Sequence, residues 1–233
     1  FSEIQDGDDS PEVELAANAR AIRKARDFYP NLNVHHHTYE ENIGLSDGRN
    51  RLVREAREDY VLLCDDDFIL DEEADIRAAL EIAQQGDYQL VGGWLKNNYN
   101  RKTGDYTYWG AYGSLSETAD ELIININEQP IEDDALIPSE YLLNFYVADR
   151  KCLLANPWEE TLKVEEHQEF FYRFKHNGYK AALFGQLFVK HTADRSDNPP
   201  RYNDYRFAKD NWEHFLFAAP RSMDKKRRTI NRV

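Results

Sequence analysis

The sequence contains little sulfur: two cysteines, Cys64 and Cys152, and one methionine in 233 residues. Two cysteines cannot form the set of disulfides that holds a small secreted domain together. Cys64 ends an apolar run that begins at Tyr60, so we expect it to pack as a free thiol in a strand. We expect Cys152 to be free as well. Free thiols favour a cytoplasmic location for the protein.

Long apolar runs and basic residues are also scarce. No apolar run approaches the roughly 20 residues that a membrane-spanning helix needs, and no signal-peptide pattern is visible. Lys and Arg number 29 against 43 Asp and Glu, which gives a net charge of −14. This charge disfavours nucleic acid and anionic membranes as partners. The chain begins with Phe1 rather than Met, so we expect it to be a fragment of a longer protein.

Secondary-structure patterns divide the chain into two halves. Residues 1–95 alternate predicted strands and helices, which indicates an α/β fold with a parallel sheet and helices on both faces. The last of these strands, 88–95, is interrupted at Gly92 and Gly93. Short strands after residue 95 predict a mixed or antiparallel half. We therefore expect one domain, in which 1–95 and 96–206 are the two halves and 207–233 is a C-terminal helix with a basic tail. The predicted helices are 13–29, one ending near residue 57, 72–85, 163–176 and 207–218.

Three adjacent carboxylates, Asp65, Asp66 and Asp67, follow the apolar run at 60–64. Their negative charges repel one another at the end of a buried strand, and a bound divalent cation would relieve this because hard cations prefer oxygen ligands. Ligands of open α/β sheets also bind at the carboxyl ends of strands. An acidic turn ahead of a helix explains three aspartates by themselves equally well.

Several longer segments resemble a known family. The segments NIGLSDGRN and YVLLCDDDF resemble the nucleotide half of GT-A glycosyltransferases, in which an N-x-G…R-N segment precedes an Asp-x-Asp motif. The second half is similar to inverting transferases of the family-2 kind and to animal β1,4-N-acetylgalactosaminyltransferases. Residues 191–206 also resemble the segment that follows the metal-binding histidine of β1,4-galactosyltransferases. The segments of the second half are LLNFYVADRKCLL, KVEEHQEFFYRFKHNGYKAALFGQLFVKH and DRSDNPPRYNDYR.

The resemblance implies a fold and an activity. The fold is GT-A, a Rossmann-like nucleotide-binding half with a mixed sheet joined to an acceptor-side half. The activity is metal-dependent, inverting transfer of a hexosyl or N-acetylhexosaminyl group from a UDP-sugar to a glycan, lipid-linked sugar or glycoprotein, with Mn²⁺ or Mg²⁺ as cofactor. A sugar nucleotidyltransferase and a non-catalytic carbohydrate-binding domain are the alternatives. GT-A folds normally open with a strand that here would precede Phe1 or come from another segment.

The resemblance also implies which residues bind the donor. Asp8 and Asp9 correspond to the acid that binds the donor nucleoside, and Arg49 to a basic residue that faces the diphosphate. Asp65 would reach the donor ribose or a metal-bound water, and Asp66 is counted with the donor site although strand alternation turns it to the other face. Pairing with an acid near its own helix is the alternative for Arg49.

The metal ligands implied by the resemblance are Asp65, Asp67 and His191. Asp65 and Asp67 share one face of a strand, and a carboxylate with an imidazole suits Mn²⁺ or Mg²⁺, with the imidazole favouring Mn²⁺. A surface histidine at a strand end is the alternative for His191. The three histidines at 35–37 lie in a predicted strand, where neighbouring side chains point to opposite faces and cannot all bind one ion.

The catalytic base implied by the resemblance lies at the start of the helix at 163–176. His167 occupies the position at which the family commonly has its base, and Glu166 precedes it, so both remain candidates. A cluster of acids that caps the helix is the alternative. Trp109, Tyr112 and Trp158 are candidates for an aromatic platform that binds the acceptor, with core packing as the alternative for each.

Overall fold

The structure of the chain is a computed structural model that describes residues 3–8, 12–31, 33–40, 43–65, 68–100, 105–109, 112–118, 121–127, 131–162, 166–191 and 227–232. The helices are α1 (Glu12–Phe28), α2 (Leu45–Glu55), α3 (Ile76–Gln84), α4 (Arg150–Ala155) and α5 (Glu166–His176). The strands are β1 (Glu3–Asp8), β2 (Asn33–Thr38), β3 (Tyr60–Leu63), β4 (Phe68–Leu70), β5 (Leu90–Asn100), β6 (Asp105–Trp109), β7 (Tyr112–Glu117), β8 (Glu121–Asn127), β9 (Leu136–Ser139), β10 (Tyr146–Asp149), β11 (Ala181–His191) and β12 (Arg227–Arg232).

A mixed sheet of seven strands forms the centre of the fold. Its order is β3-β10-β5-β11-β4, and β6 and β9 pair with β5 and β11. β11 is parallel to β5, whereas β10 is antiparallel to both β3 and β5. The α/β fold class with a mixed sheet is therefore confirmed. The expectation of a parallel sheet in the first half is corrected, because β10 from the second half lies between β3 and β5.

Two smaller sheets complete the described structure. β1 and β2 form a parallel pair, and β7, β8 and β12 form a three-stranded sheet. The stretch 227–232, predicted to be part of a basic tail, is thus a strand parallel to β8. The predicted helix at 207–218 lies outside the described residues.

The central sheet is buried on both faces. Leu90 on β5 faces one hydrophobic cluster and its neighbour Val91 faces the other, and Tyr146 and Val147 alternate in the same way on β10. Helix α5 contributes aromatic side chains to the first cluster, and α3 contributes alanines to the second. The alternation follows from the two-residue period of a strand, and it fixes which helix covers which face.

Local side-chain chemistry sets the start of α3. The acidic stretch at 72–73 was predicted to be helical, but the helix begins only at Ile76. The carboxylate of Asp75 accepts a hydrogen bond from the backbone N–H of Ala78 at 2.8 Å, which caps the first turn. The two glutamates therefore lie in the turn before the helix.

Glycine allows close packing in the middle of the sheet. β5 was predicted to break at Gly92 and Gly93, yet it runs through both. A Cβ atom at Gly93 would lie 2.5 Å from the carbonyl oxygen of Leu187 and 2.6 Å from the ring of Phe145. β11 is one strand whose register against β5 shifts between Leu183 and Phe188.

The histidines of β2 pair with polar side chains of β1. His36 Nδ1 lies 2.7 Å from Asp6 Oδ2, and His37 Nε2 lies 2.7 Å from Gln5 Oε1. Both rings are partly buried between the strands. These histidines therefore join β1 to β2.

Both cysteines are free thiols, as predicted, but Cys64 is exposed and Cys152 is buried. The expectation that Cys64 packs within a strand is wrong, because β3 ends one residue earlier, at Leu63. No helix in the described part of the chain is long and apolar enough to cross a membrane.

We expect Gly93→Ala to lower the free energy of unfolding by about 3 kcal/mol, because the new methyl group overlaps the backbone of β11. Gly48→Ala in α2 is the matched control, since its Cβ would meet only Ile43 Cδ1, at 3.7 Å. The control should be more stable by about 0.5–1 kcal/mol. Urea denaturation followed by circular dichroism measures both, and equal midpoints for Gly93→Ala and the unsubstituted chain would contradict the packing argument.

Candidate functional site

The guanidinium of Arg49 joins three of the predicted site residues. Its Nη1 donates to Glu166 Oε1 at 3.0 Å, and its Nη2 donates to Asp65 Oδ1 at 3.1 Å. Arg49 is 6% exposed and Glu166 is 7% exposed, whereas the Asp65 side chain is 37% exposed. One buried cation therefore connects a carboxylate after β3 with a carboxylate at the start of α5. We call Arg49, Asp65 and Glu166 the charge triad.

Hydrogen bonds to the backbone hold α2 against the segment that leads to α5. Asn50 Nδ2 donates to the carbonyl of Trp158 at 2.8 Å, and the N–H of Trp158 donates to Asn50 Oδ1 at 2.9 Å. Ser46 Oγ donates to the carbonyl of Leu162 at 3.1 Å. Sequence reasoning missed the role of Asn50, although the R-N pair in the motif was the available signal. Arg49 is thus fixed by the residue next to it.

The electrostatics of the charge triad favour a permanently charged Arg49. Burial by itself would lower the pKa of Arg49, but the negative charges of Asp65 and Glu166 outweigh it and raise the pKa above its ordinary value. The guanidinium carbon also lies 5.9 Å from the centroid of the Trp158 ring, a distance at which a cation is attracted to an indole. Two carboxylates against one guanidinium leave the triad with a net negative charge.

Tyr146 lies buried within the electrostatic reach of the charge triad. Its hydroxyl has no hydrogen-bond partner among the described residues. Burial raises the pKa of Tyr146 well above its ordinary range, and the charges of Asp65 and Glu166 add to this while Arg49 opposes it. The phenol therefore stays protonated and neutral.

His167 makes its hydrogen bonds away from the charge triad. Its Nε2 is bonded to the carbonyl of Leu142, and its Nδ1 lies 2.6 Å from Asn144 Oδ1. The ring also packs edge-to-face on Tyr141 and Phe171, with centroids 4.8 Å and 5.0 Å away. Burial lowers the pKa of His167 to about 4. The neutral ring carries one N–H, which donates either to the carbonyl of Leu142 or to Asn144 Oδ1.

The structure describes only some of the other residues predicted to bind the donor or the metal. Asp8 is buried at the end of β1 and accepts from Asn18 Nδ2 at 3.1 Å. Asp9, Asp66 and Asp67 lie outside the described residues. His191 is the last residue of β11, and its backbone pairs with Phe68, the residue that follows Asp67. The sheet therefore brings the chain at 191 beside the end of the acidic stretch.

The predicted aromatic platform does not form around Trp158. This side chain is 2% exposed and stacks on Phe170 with ring centroids 4.7 Å apart. Tyr112 is partly buried, and its hydroxyl accepts from Asn127 Nδ2. The side chain of Trp109 lies outside the described residues. Trp158 packs in the core because the hydrogen bonds of Asn50 draw its backbone onto α2.

The described residues supply only some of the predicted metal ligands. Within this part of the chain, no group of three His, Cys, Asp or Glu side chains could hold a metal ion. Asp65 is the predicted ligand whose side chain is described, and its Oδ1 is bonded to Arg49. A half-exposed carboxylate next to a net negative cluster is chemically suited to a hard cation.

The family and fold of the chain emerge from comparison with known proteins. Residues 7–135, more than half of the chain, match the family described as Glycosyl transferase family 2. The chain is similar to the crystal structure of S. aureus TarS 1–349, alone (16% identity) and in complex with UDP (15% identity), each with a TM-score of 0.53 over 95% of this chain and 64% of that one. It is also similar to GalNAc-T7 with UDP, GalNAc and Mn²⁺, at 15% identity and a TM-score of 0.57 over 82% of this chain and 37% of that one. No curated protein sequence matches.

These solved structures share the GT-A fold with this chain, which confirms that expectation. The chain spans less than two thirds of the length of each of them.

The buried imidazole of His167 predicts a loss of stability in acid. Its pKa is about 4 in the folded protein and about 6.5 in an unfolded chain. Between these values the unfolded chain binds the proton and the folded chain does not, so stability is lost as the pH falls from about 6.5 to 4. The full contribution is about 3 kcal/mol. Urea denaturation at pH 7.5, 6 and 5 measures it.

The variant His167→Gln should flatten this dependence of the unfolding free energy on pH. The exposed His176, substituted in the same way, is measured alongside as the control for loss of an imidazole. A pH dependence of the same steepness in His167→Gln and the unsubstituted chain would contradict the assignment of His167 as a buried neutral ring.

Proposed function

Because this chain belongs to glycosyl transferase family 2, we propose that it is a metal-dependent, inverting glycosyltransferase that uses a UDP-sugar. It transfers a hexosyl or N-acetylhexosaminyl group to a hydroxyl of a glycan, lipid-linked sugar or glycoprotein. The observation that carries the proposal is the charge triad, in which one cation contacts Asp65 of the acidic stretch and Glu166 at the start of α5. UDP in the TarS structure and UDP, GalNAc and Mn²⁺ in the GalNAc-T7 structure support the choice of donor and metal.

The donor side of the site consists of residues at the ends of β1 and β3. Asp8 and Asp9 bind the nucleoside, Asp65 reaches the ribose or a metal-bound water, and Asp66 is counted with the donor site. Arg49 faces the diphosphate, for which a planar guanidinium with several N–H donors is well suited.

Asp65, Asp67 and His191 hold the metal in this proposal. Two carboxylates and one imidazole form a donor set that suits Mn²⁺ better than Mg²⁺. The pairing of His191 with Phe68 in the backbone supports the convergence of these ligands. When bound, the metal offsets the negative charge that develops on the departing diphosphate.

Glu166 is the better candidate for the base. The acceptor hydroxyl attacks the anomeric carbon from the face opposite the diphosphate. The new C–O bond forms as the bond to the diphosphate breaks, and Glu166 takes the hydroxyl proton. His167 is the weaker candidate because both of its ring nitrogens are bonded to the neighbouring chain and its pKa is about 4. The carboxylate of Glu166 is buried and accepts a hydrogen bond from Arg49 Nη1 at 3.0 Å.

Turnover should depend strictly on a divalent metal. With a panel of UDP-sugars and Mn²⁺, we expect release of UDP that stops on addition of EDTA and returns with excess Mn²⁺. Asp67→Ala should abolish this activity, because a direct ligand of the metal is lost, and excess Mn²⁺ should not restore it. Circular dichroism checks that the variant is folded. Near-normal turnover by folded Asp67→Ala would contradict the metal assignment, and release of a sugar phosphate would indicate a nucleotidyltransferase instead.

Substitution of the two candidate bases should separate their roles. We expect Glu166→Gln to lower kcat by about 10²–10⁴-fold, the usual range for loss of a general base. Folded His167→Gln should keep kcat within about tenfold of the unsubstituted enzyme, since the His167 ring takes no proton in the proposed reaction. Kinetics at saturating donor and acceptor measure both. A large loss of kcat in His167→Gln with normal kcat in Glu166→Gln would reverse the assignment.

A further inference from the structure

The charge triad links the two sides of the site through one residue. We propose that Arg49 is a positioning residue whose single guanidinium, shared between Asp65 and Glu166, couples binding of a metal–nucleoside diphosphate to the orientation of the acceptor-side carboxylate. This inference rests on the proposed function. It adds that the donor side of the site, with Asp65, and the acceptor side, with Glu166, are not independent. Arg49 couples them because it contacts both.

The geometry supplies the first argument. Different nitrogens of the same guanidinium donate to the two carboxylates, at 3.0 Å and 3.1 Å. Among the described side chains, Arg49 is the cation that contacts Glu166. A planar fork of N–H donors holds two partners in fixed relative positions. A shift of the guanidinium towards one carboxylate therefore weakens its contact with the other.

The surroundings of Arg49 supply the second argument. The side chain is 6% exposed, the ring of Trp158 lies beside it, and Asn50 and Ser46 fix α2 to the chain behind it. If the guanidinium moved into solvent, the negative charges of Asp65 and Glu166 would lose the cation that compensates them. Because both carboxylates contact the same guanidinium, we expect a change in one contact to alter the other.

The direction of the coupling follows from charge. The anionic diphosphate would attract the guanidinium towards the donor side. This would loosen its contact with Glu166 and free that carboxylate to meet an acceptor hydroxyl. Coupling between two sites is reciprocal. Removal of the negative charge of Glu166 should therefore leave the guanidinium more available to an anionic donor and tighten donor binding.

A double-mutant cycle on UDP binding tests the coupling without any turnover. Calorimetry in the presence of Mn²⁺ gives the Kd of UDP for the unsubstituted chain, Glu166→Gln, Arg49→Lys and the double variant. Lysine keeps the positive charge, but its compact ammonium group does not reproduce the fork that joins two carboxylates. Glu160→Gln is the matched control, because Glu160 also accepts hydrogen bonds from α2, but from Asn50 and Arg54 rather than Arg49.

We expect Glu166→Gln to lower the Kd of UDP by about fivefold or more in the unsubstituted chain, the lower end of typical coupling between sites. The same substitution should change Kd less than about twofold in Arg49→Lys, and Glu160→Gln should leave it unchanged. An equal effect in both backgrounds would show simple charge repulsion and overturn the role of Arg49, as would no effect in either. Failure of the unsubstituted chain to bind UDP with Mn²⁺ would overturn the proposed function itself, and the coupling with it.

Circular dichroism and thermal denaturation accompany each titration, because loss of one partner from a buried ion pair is destabilising. The double variant removes the carboxylate charge of Glu166 and the guanidinium of Arg49 together, so it leaves neither partner of the ion pair buried alone. If Glu166→Gln is unfolded, the comparison of Glu166→Asp in the two backgrounds takes its place, since a shorter carboxylate weakens the contact with Arg49 while keeping the charge. A lower Kd of UDP for Glu166→Asp in the chain that keeps Arg49, but not in Arg49→Lys, supports the coupling. An equal effect of Glu166→Asp on Kd in both backgrounds overturns it.

Discussion

The arrangement of the site depends on the ion pairs that the buried guanidinium of Arg49 makes with Asp65 and Glu166. Two charges taken out of water are costly, and a buried ion pair is favourable only when its geometry is good and its remaining donors are used. Here the cost is met by two carboxylate contacts and the face of Trp158. Loss of one partner would leave a buried charge without compensation, which costs about 3–5 kcal/mol. Removal of Glu166 or Asp65 is therefore expected to lower the stability of the fold.

The mixed sheet explains how residues far apart in sequence meet at Arg49. β10 lies between β3 and β5, so the strand that leads to Asp65 is paired with a strand from the second half of the chain. α5 covers one face of the same sheet and begins with Glu166. β11 then runs back to the other end of the acidic stretch, where His191 pairs with Phe68. The site is thus formed jointly by both halves of a single domain.

The members of the charge triad could be predicted from the sequence, but the contacts between them could not. Asp65, Arg49 and Glu166 were identifiable from motif position, but the bond between Arg49 and Glu166 spans 117 positions, and nearby acids such as Asp47 were equally good partners on local grounds. Asp47 pairs with Arg51 instead. The choice between Glu166 and His167 depended on which of two adjacent helical side chains faces the core. His167 packs against Tyr141 and Phe171, contacts that no local sequence pattern contains.

The placement of Trp158 has an optical consequence. Its indole ring is shielded from solvent, stacked on Phe170 and held 5.9 Å from a guanidinium carbon. In such a dry setting a nearby charge produces a strong electric field, and the emission of an indole shifts with the field across its ring. The chain contains four tryptophans, and the emission of Trp158 should depend on the position of Arg49. Trp158 is thus an intrinsic fluorophore beside the contacts of Arg49 with Asp65 and Glu166.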